Sequence, residues 1–291
     1  MTQTSSTRAN LLADLPQRLA TICLGVPILW RLVWWYPSLR VLFFQGAHAA
    51  MCMEWAQMTG SPTLGIMIFP LVSVASVNCP EDALFFVLLL VGVFSFILTS
   101  GDASISNPKT QLQATAGVLL ITIPNRSWLA VSQQSFAPTV SLLLTVWNCD
   151  TGALVAGRLA KAGNNNQPLP QPEWLLQASP NKSVQGLLGG FVAGVVTFCT
   201  LPWFWRFVEW LHLVPPDTVH ELPDLTAWDR FRLGCALSVL ALLGDLWEST
   251  LKRSFGVKDT GRLLPGHGGV LDRFDSSLLA VMLYAYKIQQ K

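Results

Sequence analysis

Charge is what this sequence has least of. Only 12% of its 291 residues are Asp, Glu, Lys or Arg, against about a quarter in an ordinary soluble domain. Hydrophobic residues make up 51%, and the mean hydropathy is +0.43. The apolar runs are too long and too numerous for a water-soluble protein with one oversized core, so that class is excluded. Net charge is only +2, which excludes the strongly basic footprint of a nucleic-acid binder. Cysteine is sparse and scattered: Cys23, Cys52, Cys79, Cys149, Cys199 and Cys235, no two closer than 27 residues. That spacing excludes a CxxC redox motif and a zinc knuckle. Most of these thiols lie in apolar stretches, where Cys packs as a small hydrophobe. Internal repeats, heptads and low-complexity tracts are also lacking.

What remains is a series of apolar runs. A bilayer-spanning helix needs about 20 apolar residues. Candidate spans run over 19–35, 39–56, 64–77, 83–100, 114–124, 128–150, 187–208, 231–247 and 271–288. The third and fifth are short, so the expected fold is an all-α integral membrane protein with eight or nine transmembrane helices. The 12 Trp residues suit such a protein, because indole favours the membrane–water interface. The chain divides into a polar segment 1–18, N-terminal transmembrane helices over 19–130, and a C-terminal region 131–291. In that last region polar loops and helix ends carry the candidate chemistry.

Two polar segments, 157–186 and 250–269, are separated by a pair of spans and so share one membrane face. With nine spans, 11 of the 19 Lys and Arg lie on that side. This bias marks it as cytoplasmic. The stretch 212–229 reads as a plain loop on the other face.

The chemically informative stretch is 244–275, GDLWESTLKRSFGVKDTGRLLPGHGGVLDRFD. Asp245, Glu248, Ser249 and Lys252 recur at helical spacing and share one face. Carboxylates at the end of an apolar span are costly, so they are normally paired, metal-bound or in a wet cavity. A basic, glycine-rich loop follows, with Lys252, Arg253, Lys258 and Arg262 among Gly256, Gly261, Gly266, Gly268 and Gly269. Glycines let backbone N–H groups approach phosphate oxygens, and Arg engages phosphate bidentately. Asp272 and Asp275 then share a face at the start of the last span. Alone, the basic loop reads equally as a lipid-headgroup contact, and the acidic pair as a helix cap. Together they point to a polyphosphate and a divalent cation at the membrane surface.

The stretch resembles the phosphatidate cytidylyltransferase family in detail. The resemblance rests on Ser249-Thr-Leu-Lys252-Arg253, Lys258-Asp259-Thr-Gly261, Leu264-Pro265-Gly-His267-Gly268-Gly269 and Asp272-Arg273-Phe-Asp275. An upstream block resembles the family too: Asp150-Thr-Gly152-Ala153, Gly157-Arg158 and Ser179-Pro180-Asn-Lys182-Ser183. It departs at Leu154, where the family has an aromatic residue, and at Gln185, where it has Glu. The likeness extends over residues 147–288; the first 130 match in apolar character alone.

The resemblance implies the reaction of CTP with phosphatidic acid to give CDP-diacylglycerol and pyrophosphate, with Mg²⁺ and a neighbouring K⁺ as cofactors. It implies metal ligation by Asp245 and Asp272, supported by Glu248 and Asp275. Lys252, Arg253, Lys258, Asp259, His267 and Arg273 become the catalytic set. Asp150, Ser179, Lys182, Ser183, Ser249, Gly268 and Gly269 become the substrate-binding set. His267 either donates to the pyrophosphate or fixes the turn around it. Lys161, outside the matched motifs, reads as a solvated charge. The expected partners are the two substrates, the lipid bilayer and a second copy of the chain, with no nucleic acid. The expected location is a bacterial inner membrane, or otherwise the endoplasmic reticulum or an organelle membrane, with the site open to the cytoplasm.

Overall fold

The structure is a computed structural model, and it describes residues 36–60, 108–164, 170–180, 182–261, 263 and 268–289. The polar segment 1–18 and the expected spans 19–35, 64–77 and 83–100 lie outside the described residues. Seven α-helices are described: α1 (Pro37–Met58), α2 (Pro108–Gln134), α3 (Phe136–Gly163), α4 (Glu173–Ala178), α5 (Val184–Trp210), α6 (Ala227–Ser254) and α7 (Leu271–Gln289). A 3₁₀ turn covers Thr218–Glu221. No β-strand occurs among the described residues, in keeping with the all-α expectation. Among the described residues three helices, α3, α5 and α6, are long and apolar enough to cross a membrane.

Around α2 and α3 two boundaries differ from the sequence expectation. Pro124 and the following Asn125-Arg126 suggest a break between the fifth and sixth spans, yet Pro124 lies inside α2. The chain breaks instead at Ser135, which is extended and is followed by Phe136-Ala137-Pro138 in the first turn of α3. A proline costs nothing in a first turn, where its missing N–H has no helical partner. The second difference is that α3 continues to Gly163. Gly157, Arg158 and Lys161, read as loop, therefore stand on the last turns of a helix.

Helix α7 is the hub of the bundle, packing against α1, α2, α3 and α6. Its Phe274 meets Trp128 of α2 edge-on at 6.0 Å, and Trp128 stacks on Phe44 of α1 at 5.0 Å. Farther along, the ring of Tyr284 meets Phe198 of α5 edge-on at 6.1 Å. Buried Trp205 of α5 donates its indole N–H to Ser141 Oγ of α3 at 2.9 Å, so this apolar contact leaves no indole donor unpaired. His48, which has no polar cluster near it in the sequence, is within hydrogen-bonding distance of Thr122 of α2, Nε2 to Oγ1 at 3.1 Å.

Helices α3 and α5 are the most extensively paired, and glycine is the reason. A Cβ on Gly190 would stand 2.7 Å from the Cys149 carbonyl oxygen, and one on Gly186 would stand 2.9 Å from that of Ala153. Small residues let two backbones close to contact in lipid, where dispersion rather than water drives association. Gly190→Ala therefore forces the two helices apart despite alanine's better helix propensity. The expected cost is about 1–3 kcal/mol, or an apparent Tm in detergent lower by roughly 5 °C. Gly46→Ala on α1, where a Cβ meets nothing within 4 Å, is the matched control. Equal melting of the two variants would remove the close packing as the cause.

Candidate active site

The two motif blocks, far apart in the chain, meet at one end of the bundle. The upstream block enters α5 through an N-cap: Ser183 Oγ accepts the Gly186 N–H at 3.0 Å. Capping by a hydroxyl fixes the angle at which the preceding residue leaves the helix. Lys182 is that residue. Its Nζ pairs with Asp245 Oδ1 of α6 at 2.7 Å and lies 3.4 Å from Ser249 Oγ. The lysine and the aspartate are 22% and 26% exposed, and both line a cavity of about 660 Å³.

That cavity is also lined by Asp150, Arg158, Lys161 and Ser179. Leu154, Leu176 and Leu242 stand among these charged groups in its lining. Lys161 borders the cavity while remaining exposed, as a solvated charge would be. Gln171 lines it as well; no motif in the sequence marks that residue. Of the two departures, Leu154 lines the cavity while Gln185 is exposed and does not.

Beside the cavity lies a dense group of charges. Asp150 Oδ2 accepts Ser276 Oγ–H at 3.0 Å, while its buried Oδ1 has no hydrogen-bond partner. Asp275 accepts the Ser276 N–H at 2.6 Å and lies within electrostatic reach of Asp150, Asp245 and Glu248. Arg273 lies within reach of Asp150. Lys252 bridges Glu248 Oε2 at 2.5 Å and Asp272 Oδ1 at 2.8 Å. Beyond that ion pair no hydrogen bond reaches the Glu248 carboxylate.

Asp272 is fully engaged. Besides Lys252, its Oδ2 accepts the Thr260 N–H at 3.0 Å and the Gly269 N–H at 2.8 Å. It therefore folds the loop back on the start of α7, the capping role open to an acidic residue in a first turn. Gly268 has φ +80, and a Cβ there would lie 2.9 Å from Asp272 Oδ2. Gly256 (φ +70) ends α6: Gly256 N–H donates to the Arg253 carbonyl at 3.1 Å and Val257 N–H to that of Lys252 at 3.0 Å. That closure is a Schellman motif. Arg253 within this closure and Lys258 and Asp259 beyond it are exposed. His267 lies outside the described residues.

One further residue binds this loop from a distance. Glu54 of α1, 5% exposed, accepts hydrogen bonds from Thr260, Val270 and Leu271. The sequence contains a signal for it: an ionisable residue inside an expected span is rarely there without a partner.

A divalent cation suits part of this set in kind. Asp150, Asp245, Glu248, Asp272 and Asp275 outnumber their basic neighbours Lys182, Lys252 and Arg273, and Asp150 keeps a buried oxygen without a donor. Among the described residues no three His, Cys, Asp or Glu converge on one point. Mg²⁺ commonly takes only one or two carboxylates and fills its shell with phosphate oxygens and water. Asp150 and Asp245, both on the cavity wall, meet that requirement. Asp272, with its oxygens filled by an ammonium and two amides, does not meet it in this arrangement.

Comparison with known proteins agrees with the geometry. The family model described as the cytidylyltransferase family matches residues 16–290. Proteins named phosphatidate cytidylyltransferase are similar over 140 residues: 38% identical in Staphylococcus haemolyticus, 39% in Staphylococcus epidermidis and 36% in Staphylococcus aureus. That stretch is 48% of this chain and 44% of each relative, so the alignment spans less than half the length of the relatives it matches. The family match, by contrast, runs through nearly the whole chain, and the protein belongs to the cytidylyltransferase family.

Proposed function

We propose that the protein is a phosphatidate cytidylyltransferase, transferring the cytidylyl group of CTP to the phosphate of phosphatidic acid. A phosphatidate oxygen attacks the α-phosphorus of CTP, the bond to the bridging oxygen breaks, and pyrophosphate leaves. The products are CDP-diacylglycerol and pyrophosphate. The observation that carries this reading is the junction of the two motif blocks: Lys182 on Asp245 at the wall of a cavity that also holds Arg158 and Lys161.

The attacking phosphate is already anionic near neutral pH, so a strong general base is not needed. The difficulty is bringing two polyanions together in line, an electrostatic and entropic task. Lys182, Arg158 and Lys161 supply positive charge on the cavity wall, and the exposed Arg253 and Lys258 supply it on the adjoining loop. Asp150 and Asp245 would hold Mg²⁺, which neutralises phosphate charge when bound. The K⁺ of the same resemblance has no place distinguished among the described residues. The leucines of the lining suit the lipid part of phosphatidic acid, which stays in the bilayer while CTP arrives from water. The reading extends to a multi-pass protein of eight or nine spans, acting as a homodimer with its site toward the cytoplasm. In a bacterial cell that membrane is the inner one.

The test is pyrophosphate release from CTP and phosphatidate by the full-length protein in detergent, with and without Mg²⁺. Release of CDP instead would identify a lipid kinase, and no turnover of either kind would refute an enzyme of this class. In the same assay Lys258→Ala is expected to lower kcat/KM for CTP roughly tenfold to a hundredfold, since a hydrogen bond to a charged group is worth about 1.5–3 kcal/mol. Its melting temperature should not move, because the side chain is exposed.

A further inference from the structure

We propose that Glu54 is a positioning residue for the glycine-rich loop, capping α7 from a neighbouring helix and setting where the loop stands. The inference rests on the reading that this loop serves cytidylyl transfer.

A helix leaves its first N–H groups without intrahelical acceptors, and its N-terminus is the positive end of its dipole. At α7 the cap does not come from the preceding residues alone. Glu54 Oε1 accepts the Val270 N–H at 2.8 Å, and Oε2 accepts the Leu271 N–H at 2.9 Å. These donors stand 216 and 217 residues away in the chain. A carboxylate on an apolar helix thus meets two amides that need an acceptor, and each solves the other's burial.

The same carboxylate reaches into the loop. Thr260 Oγ1 donates to Glu54 Oε2 at 3.2 Å, while the Thr260 N–H goes to Asp272 at 3.0 Å. Thr260 is therefore held from two sides, and Asp272 passes the connection to Lys252 and Glu248. Two glycines follow from this arrangement. A Cβ on either Gly261 or Gly269 would stand 2.6 Å from a Glu54 oxygen. Space for the Glu54 carboxylate, besides any phosphate, explains why both positions lack a side chain. Lys258 and Asp259 immediately precede Thr260, so their placement depends on α1, a helix outside both matched motif blocks.

Three donors converge on Glu54, and only a carboxylate accepts from all of them. Glutamine keeps the shape but turns one acceptor into an NH₂ donor. The experiment compares Glu54→Gln, Thr260→Val and Thr260→Ser in the full-length protein, by hydrogen–deuterium exchange and by steady-state CTP turnover well below the melting temperature. In Glu54→Gln at least one of the Val270 and Leu271 amides should exchange at least tenfold faster, with α5 unchanged, and kcat should fall about tenfold. Thr260→Val should reproduce a part of the kcat loss, and Thr260→Ser, which keeps the hydroxyl, should recover it.

Unchanged exchange in Glu54→Gln would remove the cap. Faster exchange with kcat within twofold of wild type would remove the positioning role. A Glu54→Gln protein that does not fold leaves the decision to the Thr260 pair, and equal kcat in Val and Ser variants overturns the proposal. Should the wild-type protein release no pyrophosphate, the functional reading fails, and the exchange measurement still decides the cap.

Discussion

Lys252→Met is expected to abolish turnover, by at least roughly a hundredfold, and to lower the apparent melting temperature by roughly 10 °C. Lys252 is the single ammonium between two carboxylates, at 2.5 Å from Glu248 and 2.8 Å from Asp272, with those side chains 1% and 6% exposed. Removing one partner of a buried ion pair leaves the other charge unpaired, which costs about 3–5 kcal/mol. Each kcal/mol is worth about 2–4 °C in a chain of this size. The functional loss has a separate origin. Lys252 holds Asp272, and Asp272 holds the Thr260 and Gly269 amides, so the loop loses its anchor on α6. Lys258→Ala provides the contrast, since it should lose activity without melting early. Turnover and thermal unfolding of both variants in one detergent would decide the matter. A Lys252→Met protein that melts like wild type would show that the bridge contributes little.

The glycine-rich loop shows how much of this was legible in the sequence. Its residues point to a polyphosphate chemistry by type and spacing, the basis of the proposed reaction, and the helices around it follow from apolar runs. Helices α5 and α7 lie within a few residues of the expected spans, helped at α5 by the Ser183 cap, whereas α6 runs from Ala227 to Ser254, past the expected end at 247 and into the segment read as loop, and stops just before the glycine at 256. The break between α2 and α3 was not legible, because Pro124 looks like a terminator and is instead accommodated within a packed helix.

Roles within the site were less legible than membership. Spacing puts Asp245, Glu248 and Lys252 on one face, but not which carboxylate the lysine takes. The two readings of an acidic pair at a helix start, cap and ligand, separate only in three dimensions. Asp272 accepts two backbone amides and an ammonium, whereas Asp150, grouped with substrate binding in the sequence, keeps a buried oxygen without a donor. Glu54 lies furthest from what a sequence pattern conveys, since its partners are more than 200 residues away.

The second large effect is expected at Asp245. Asp245→Asn should reduce turnover by at least roughly a hundredfold. Two explanations for such a loss make different forecasts. If Asp245 serves only to hold Lys182, at 2.7 Å, then Asp245→Asn and Lys182→Met break the same contact. Their effects would be alike, the double variant would be no worse than either, and the Mg²⁺ dependence would not change. If Asp245 and Asp150 hold the cation together, as proposed, Asn keeps the size of the side chain but removes the anionic oxygen a hard cation prefers. The Mg²⁺ concentration for half-maximal rate should then rise at least roughly tenfold in Asp245→Asn and stay in place in Lys182→Met. Mn²⁺, which binds more strongly to most such sites, should recover part of the loss. Asp272→Asn sharpens the comparison: with its oxygens committed to Lys252, Thr260 and Gly269, it should lose stability and turnover at every Mg²⁺ concentration tested. A Mg²⁺ requirement that shifts in Asp272→Asn and not in Asp245→Asn would move the cation to the start of α7 and overturn the assignment to the cavity wall.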